Sequence, residues 1–323
     1  MKGLYFVLLA LIWTKTYSQS EIERNFNDGS LEWQAIKILE TKNHGFVLHA
    51  ISNPFGENGN KINDFIVLDS LGTKQWSYSF DSGDAYIGYS DGGFGIGNDG
   101  AIFILDNELA CMGSGGNVIK YDIQGNLIWN RANDFGLYKP YSLLYTICST
   151  QNDNQIFGGS IGCQNTIPYL CMIDSNANTV WEYNLDSIYP GEYVRKIERF
   201  QDSTFLVHLV NHTIQIDESG AILSSNFPTG VFIVSRDSGY IKLNSNQIIR
   251  LDDSLNVVWT SPINCNSCHY YNLAEDSLNN IFVTGRMDTC NGDILLSRFE
   301  STGNFVYTKL YGGALSDQGN DII

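Results

Sequence analysis

The sharpest chemical pattern in the chain is Cys265-Asn266-Ser267-Cys268-His269. Two thiols three positions apart and then an imidazole form the attachment pattern of c-type haem, with both sulfurs as thioethers and the histidine as axial ligand. In an oxidising compartment the same thiols close a loop disulfide, for which Cys290 is a further partner close in sequence. We read the segment as a loop disulfide, because it follows a strand bearing Trp259 and no second axial ligand stands at a suitable spacing. A closed zinc site built on Cys265, Cys268 and His269 lacks a fourth ligand.

Other short patterns fail on context. Gly88-Tyr89-Ser90-Asp91-Gly92 and Gly158-Gly159-Ser160-Ile161-Gly162 both fit G-x-S-x-G. That pattern makes a nucleophile elbow only between a strand and a helix; neither copy precedes a helical pattern, and both read as turns. Gly95-Ile96-Gly97-Asn98-Asp99-Gly100 fits G-x-G-x-x-G but leads into Ala101-Ile102-Phe103-Ile104, a strand rather than a phosphate-holding helix. His208 and His212 flank a turn at Asn211 rather than share a helix face, so they read as surface or hairpin residues. The carboxylates could include the facing pair a polysaccharide hydrolase or lyase uses, or they are a solvated surface of turn aspartates. No D-x-D-x-D-G calcium loop occurs, and no catalytic residue, metal ligand or cofactor is assigned.

These groups must be positioned by a repeat. An acidic residue is followed three positions on by a glycine and seven on by an aromatic: Asp69, Gly72 and Trp76; Asp122, Gly125 and Trp129; Asp174, Ala177 and Trp181. Weaker copies follow at Asp217, Gly220 and Ser224, at Asp252, Leu255 and Trp259, and at Glu300, Gly303 and Tyr307. The unit is a hairpin in which a strand ends at the acid, glycine supplies a positive φ, and the next strand carries the aromatic. Acidic positions 69, 122, 174, 217, 252 and 300 lie 53, 52, 43, 35 and 48 residues apart, which brackets the length of a four-stranded propeller blade, about 40–50 residues.

Each interval also holds two earlier strands. In the first unit Ala35–Leu39 and Phe46–Ile51 precede Asp64–Leu68 and Gln75–Phe80. The tersest units contain Phe205–Val210, Thr213–Ile216, Tyr240–Leu243 and Ile248–Leu251, and units one to three carry longer insertions. The expected fold is all-β, a propeller of six four-stranded blades. Leu310-Tyr311-Gly312-Gly313 and the run from Asp317 to Ile322 resemble the entry to another unit, so a truncated or seven-bladed ring, or a last strand closing on the first, stands beside the six-bladed one.

Lys2 and the apolar run Leu4 to Trp13 form a secretory signal, too short to span a bilayer, with cleavage expected after Ser18. Residues 1–18 are thus signal, 19–28 linker and 29–323 propeller. The net charge of −16 becomes −16 − 2 = −18 once Lys2 and Lys15 are removed. Such charge disfavours nucleic acid and anionic lipid as partners, and no membrane span is expected; the oligomeric state is not specified. Seven cysteines in an exported chain allow disulfides, with one left over.

The acid, glycine and tryptophan spacing distantly resembles quinoprotein-like propeller repeats, whose glycine and tryptophan fall four and eight after the acid; here each is one residue nearer, and no cofactor residue is carried over. Residues Gly292 to Asp321, through Gly292-Asp293-Ile294-Leu295-Leu296, Glu300, Gly303-Asn304, Tyr307 and Tyr311-Gly312-Gly313, are similar to secreted Bacteroidetes-type repeat proteins. That resemblance implies type IX secretion through a sorting domain not found in the sequence up to Ile323. It also implies O-glycosylation at Asp-Ser-apolar or Asp-Ser-Thr sites, matched at Ser70, Ser187, Ser203, Ser254 and Ser277. The leading functional expectation is a secreted, non-enzymatic binding or adhesion module at the cell surface, with glycan or protein contacts on the longer loops and aromatics such as Tyr86, Phe94, Tyr138 and Tyr141. The rivals are a polysaccharide hydrolase or lyase, and a covalent-haem electron-transfer protein at Cys265, Cys268 and His269.

Overall fold

The computed structural model describes residues 5–8, 22–25, 33–52, 62–81, 93–106, 117–131, 142–161, 167–201, 203–244, 247–263, 267–288, 293–312 and 321–322. Among them there is no helix. Tyr5–Leu8 (β1) and Ile22–Asn25 (β2) form an antiparallel pair. All remaining strands build six four-stranded sheets, each in chain order, which is the fold of a six-bladed β-propeller.

Blade 1 contains β3 (Trp33–Glu40), β4 (Phe46–Ser52), β5 (Ile62–Leu68) and β6 (Lys74–Asp81). Blade 2 contains β7 (Phe94–Ile96), β8 (Ile102–Asp106), β9 (Asn117–Tyr121) and β10 (Leu127–Arg131). Blade 3 runs through β11 (Ser142–Ser149), β12 (Gln155–Ile161), β13 (Ile167–Ile173) and β14 (Thr179–Asn184). Blade 4 runs through β15 (Val194–Gln201), β16 (Thr204–Leu209), β17 (Thr213–Asp217) and β18 (Ile222–Ser224). Blade 5 comprises β19 (Phe232–Val234), β20 (Tyr240–Asn244), β21 (Gln247–Leu251) and β22 (Val257–Pro262), and blade 6 comprises β23 (Cys268–Glu275), β24 (Ile281–Met287), β25 (Asp293–Phe299) and β26 (Phe305–Tyr311). No seventh four-stranded sheet occurs among the described residues.

The chain splits into two compact units, one of Met1–Phe55, Leu68–Thr73 and Pro228–Ile323, the other of Gly56–Val67 and Lys74–Phe227. Within each, the core lies between consecutive blades. Phe103, Leu105 and Val118 of blade 2 pack with Leu144, Phe157, Tyr169 and Ile173 of blade 3. Met172 and Ile156 of blade 3 pack with Ile197, Phe205, Val207 and Ile214 of blade 4. In the other unit Ile241, Leu243 and Ile248 of blade 5 meet Leu273, Ile281, Val283 and Phe299 of blade 6. Middle strands are covered on both faces, which is why β8 and β13 are near-continuous apolar runs, whereas fourth strands such as β10 and β22 are largely exposed.

One hairpin turn recurs. The first residue of five donates its N–H to the carbonyl of the fifth, the fourth donates to the carbonyl of the first, and the fourth has positive φ. It joins third to fourth strand in every blade, starting at Asp69, Asp122, Asp174, Asp217, Asp252 and Glu300. It also joins first to second strand from Thr41, Gly97, Thr150, Ser235 and Asp276. In the aspartate turns Oδ1 accepts the N–H groups of the third and fifth residues, as at Asp122 from Gln124 (2.9 Å) and Asn126 (2.8 Å). Asp69, Asp174, Asp217, Asp252 and Asp276 repeat the pattern. This is a type I turn closed by a left-handed residue, its amides capped by a short acceptor.

The aromatic seven residues after the acid ties one blade to the next. Trp76 donates Nε1–H to the carbonyl of Ile123 in the blade 2 turn (2.9 Å), and Trp181 donates to that of Glu218 in the blade 4 turn (2.8 Å). The turn glycine lies under the same ring: a Cβ on Gly125 would stand 2.8 Å from Trp76, and one on Gly303 would stand 2.8 Å from Trp259. Trp129 and Ala177 both pack against the blade 2–blade 3 core. Glycine here meets two demands, positive φ and room for the indole.

Two expectations need correction. Gly158-Gly159-Ser160-Ile161 is not a turn but the interior of β12. There Gly159 faces the backbone of β11, where a Cβ would lie 1.8 Å from the Leu143 carbonyl oxygen, and the buried Ser160 hydroxyl pairs with Tyr145 Oη (3.2 Å). Phe94 is not a loop aromatic but fully buried against Phe65. Of the two positions expected for His208, surface or hairpin, the hairpin holds: it pairs with Thr213 across β16 and β17, with only 12% of its side chain exposed. The other loop aromatics Tyr86, Tyr138 and Tyr141, the segment Gly88–Gly92, and Cys111, Cys163, Cys265 and Cys290 lie outside the described residues.

Candidate functional site

The two ends of the blades differ. Turns between first and second and between third and fourth strands emerge at one end, and all but the 202–203 connection of blade 4 use the hairpin above. Connections at the opposite end vary in length: between second and third strands they run over 53–61, 107–116, 162–166, 210–212, 245–246 and 288–292, and between blades over 82–93, 132–141, 185–193, 225–231 and 263–267. Blade 4 has its variable end fully described, and there both sequence-selected histidines acquire partners.

The inter-blade connection 185–193 is fastened to the turn at 210–212 by Glu192, whose side chain is 8% exposed. Its Oε2 accepts the Asn211 N–H (3.0 Å), and its Oε1 pairs with His212 Nδ1 (2.6 Å). The His212 ring packs on Tyr189 with centroids 5.1 Å apart. A carboxylate satisfied by a backbone amide and an imidazole at once holds two irregular segments together. Ile188 and Val210 are left exposed on these same segments.

One strand register deeper, Glu198 of β15 joins Lys196 Nζ to Oε2 (2.7 Å) and His208 Nε2 to Oε1 (3.0 Å), while His208 Nδ1 pairs with Thr213 Oγ1 (3.2 Å). Burial of the Glu198 carboxyl disfavours its charge, but the ammonium of Lys196 and the hydrogen bond and charge of His208 outweigh it and hold the pKa down to about 2. A carboxylate so fixed is charged at neutral pH and orients the imidazole. Both Glu–His pairs span residues ten or more apart in sequence, so the spacing of the histidines alone did not disclose them.

In blade 6, Cys268 and His269 open β23 rather than lie on one helical turn. Cys268 is in register with Met287, and His269 Nε2 pairs with Asp288 Oδ2 (3.0 Å), whose Oδ1 also accepts from Arg286 Nε (2.9 Å). Burial opposes the charge on Asp288, yet hydrogen bonds from Arg286 and His269 keep its pKa below the usual aspartate value. The repeat residues Asp69, Trp76, Asp122, Trp129, Asp174, Trp181, Asp217, Asp252, Trp259, Glu300 and Tyr307 all lie at the uniform end or on the fourth strands adjoining it.

No family model matches the chain, and no curated protein matches it in sequence. Among solved structures it is similar to a protein of unknown function from Bacteroides caccae, at 10% identity and TM-score 0.43, over 90% of this chain and 86% of that one. It is also similar to the extracellular domain of a protein assigned as a hybrid two-component system from B. thetaiotaomicron, at 9% identity and TM-score 0.46, over 90% of this chain and 43% of that one. A eukaryotic initiation factor is similar at 10% identity and TM-score 0.42, over 96% of both chains.

Proposed function

We propose that the protein is a secreted, non-enzymatic binding module that takes its ligand at the variable end of its blades. The observation that carries this reading is the asymmetry between the ends: one five-residue hairpin recurring on one, connections of widely different length on the other. A rigid scaffold that varies only at one end is the arrangement by which loops acquire recognition without cost to the core. The Glu192 fastening of 185–193 to 210–212 keeps part of that surface preorganised. The apolar segment after Lys2 supports export, and the resemblance of Gly292 to Asp321 supports a Bacteroidetes-type cell-surface setting.

Affinity electrophoresis of the mature protein through gels holding xylan, pectin or mucin tests the glycan form of this reading. Retardation by one polymer is expected, and replacing 107–116 by the two-residue connection 245–246 should abolish it. Release of reducing ends from the retarding polymer would favour the hydrolase or lyase reading instead. For Cys268 we propose a loop disulfide, supported by its register opposite Met287, three residues ahead of Cys290 in sequence. Intact mass before and after reduction should differ only by hydrogen; a mass greater by one haem that survives reduction would overturn the disulfide.

A further inference from the structure

The first strand of each blade is a sheet edge, so half of its N–H groups have no partner within the sheet and must find one elsewhere. In four blades this strand also bulges at one equivalent place: between Ala35 and Lys37, Leu144 and Thr146, Val194 and Lys196, and Tyr270 and Asn272. The bulge puts the same ladder position at Lys37, Thr146, Lys196 and Asn272, and the next at Ile38, Ile147, Ile197 and Leu273. Between blades 3 and 4 the edge is satisfied directly, as Ile197 donates its N–H to Thr146 Oγ1 (3.0 Å).

The equivalent donor and position between blades 6 and 1 are the Ile38 N–H and Asn272, but the two do not bond directly. The Asn272 amide oxygen is occupied by the Leu273 N–H (2.9 Å), and its Nδ2 donates to Asp321 Oδ1 (2.6 Å). Asp321 Oδ2 then accepts the Ile38 N–H (3.1 Å), and Oδ1 takes the Ile322 N–H as well (3.0 Å). A carboxylate from the chain beyond β26 stands in series where a threonine hydroxyl suffices elsewhere. We infer that Asp321 is a clasp that fastens blade 6 to the first strand of blade 1.

A clasp acts on one junction, whereas a residue of general structural value loosens all of them. Hydrogen exchange on the full chain, resolved to single amides, separates the two. Asp321→Ala is expected to speed exchange at Ile38 at least tenfold and leave Ile197, whose partner is Thr146, unchanged. Asp321→Asn, which keeps an acceptor but loses the charge, should raise Ile38 exchange by less. Unchanged exchange at Ile38, or equal acceleration at Ile38 and Ile197, would overturn the clasp. If Asp321→Ala does not fold, Asn272→Ala removes the other half of the series with residue 321 intact; selective acceleration at Ile38 supports the inference, and its absence overturns it.

Discussion

Gly125 serves two masters, with φ of +88° and a tryptophan ring where its side chain would be. Gly125→Ala should therefore cost more than conformation alone, about 2–3 kcal/mol, since the left-handed penalty and the collision with Trp76 add. Ala177 already sits at φ +66°, so Ala177→Gly relieves strain and is expected to stabilise by up to about 1 kcal/mol. Urea unfolding midpoints of the two variants give the comparison, and equal effects would show that the indole does not select glycine. This pairing was half legible: acid, glycine and aromatic stood out at fixed spacing, but their spacing pointed to one hairpin, whereas the ring of one blade covers the glycine of the next. The capped turn at Asp276 escaped notice because no aromatic follows seven residues later.

At the scale of the element, the first-strand bulge had no sequence signature, because a bulge is a relation between two strands. Its trace is in the second strand. Gly159 and Gly285 lie beside the bulged backbone, where a Cβ would come within 1.8 Å of the Leu143 oxygen and 2.0 Å of the His269 oxygen. Gly159, the variable second position of that G-x-S-x-G match, thus answers to close strand approach, and reading the segment as a turn mistook steric need for conformational need. Gly159→Ala is expected to destabilise by more than about 3 kcal/mol, since backbone must move. Gly100→Ala, with φ +84° and nothing within 4 Å, should cost about 1 kcal/mol. Thermal unfolding of both variants checks the order; similar losses would mean that the strands can part without penalty.

For the molecule as a whole, acid is the informative perturbant. Asp122, Asp174 and Asp252 have pKa values below the usual 3.8, held down first by the side-chain amides of Asn126, Asn178 and Asn256, and Asp217 is held down by Ser219. Glu198 falls from 4.5 to about 2. A carboxyl that is more acidic when folded contributes stability in full above its unfolded pKa and loses it as pH falls toward the folded one. Calorimetric melting temperatures should therefore be insensitive to these groups above about pH 4.5 and fall between about pH 4.5 and 2. Glu198→Gln should lower the plateau and flatten that fall; an unchanged slope would remove Glu198 from the account. The blade count and the class of fold were legible because local hairpins repeat, while the Glu198–His208 pair, the Glu192 fastening and the Asp321 bridge were not, since each joins residues that only the folded sheets bring together.

The tryptophan bonds have a direction: Trp76 reaches forward to Ile123, and Trp181 forward to Glu218. During synthesis from the N-terminus, each such indole emerges before the carbonyl that will receive it. A blade formed from earlier chain therefore presents a docking ring to the blade that follows it, and assembly in chain order is expected. A nascent chain halted after β6 would hold Trp76 in water, with red-shifted emission that turns blue only once the turn at Asp122 has been made.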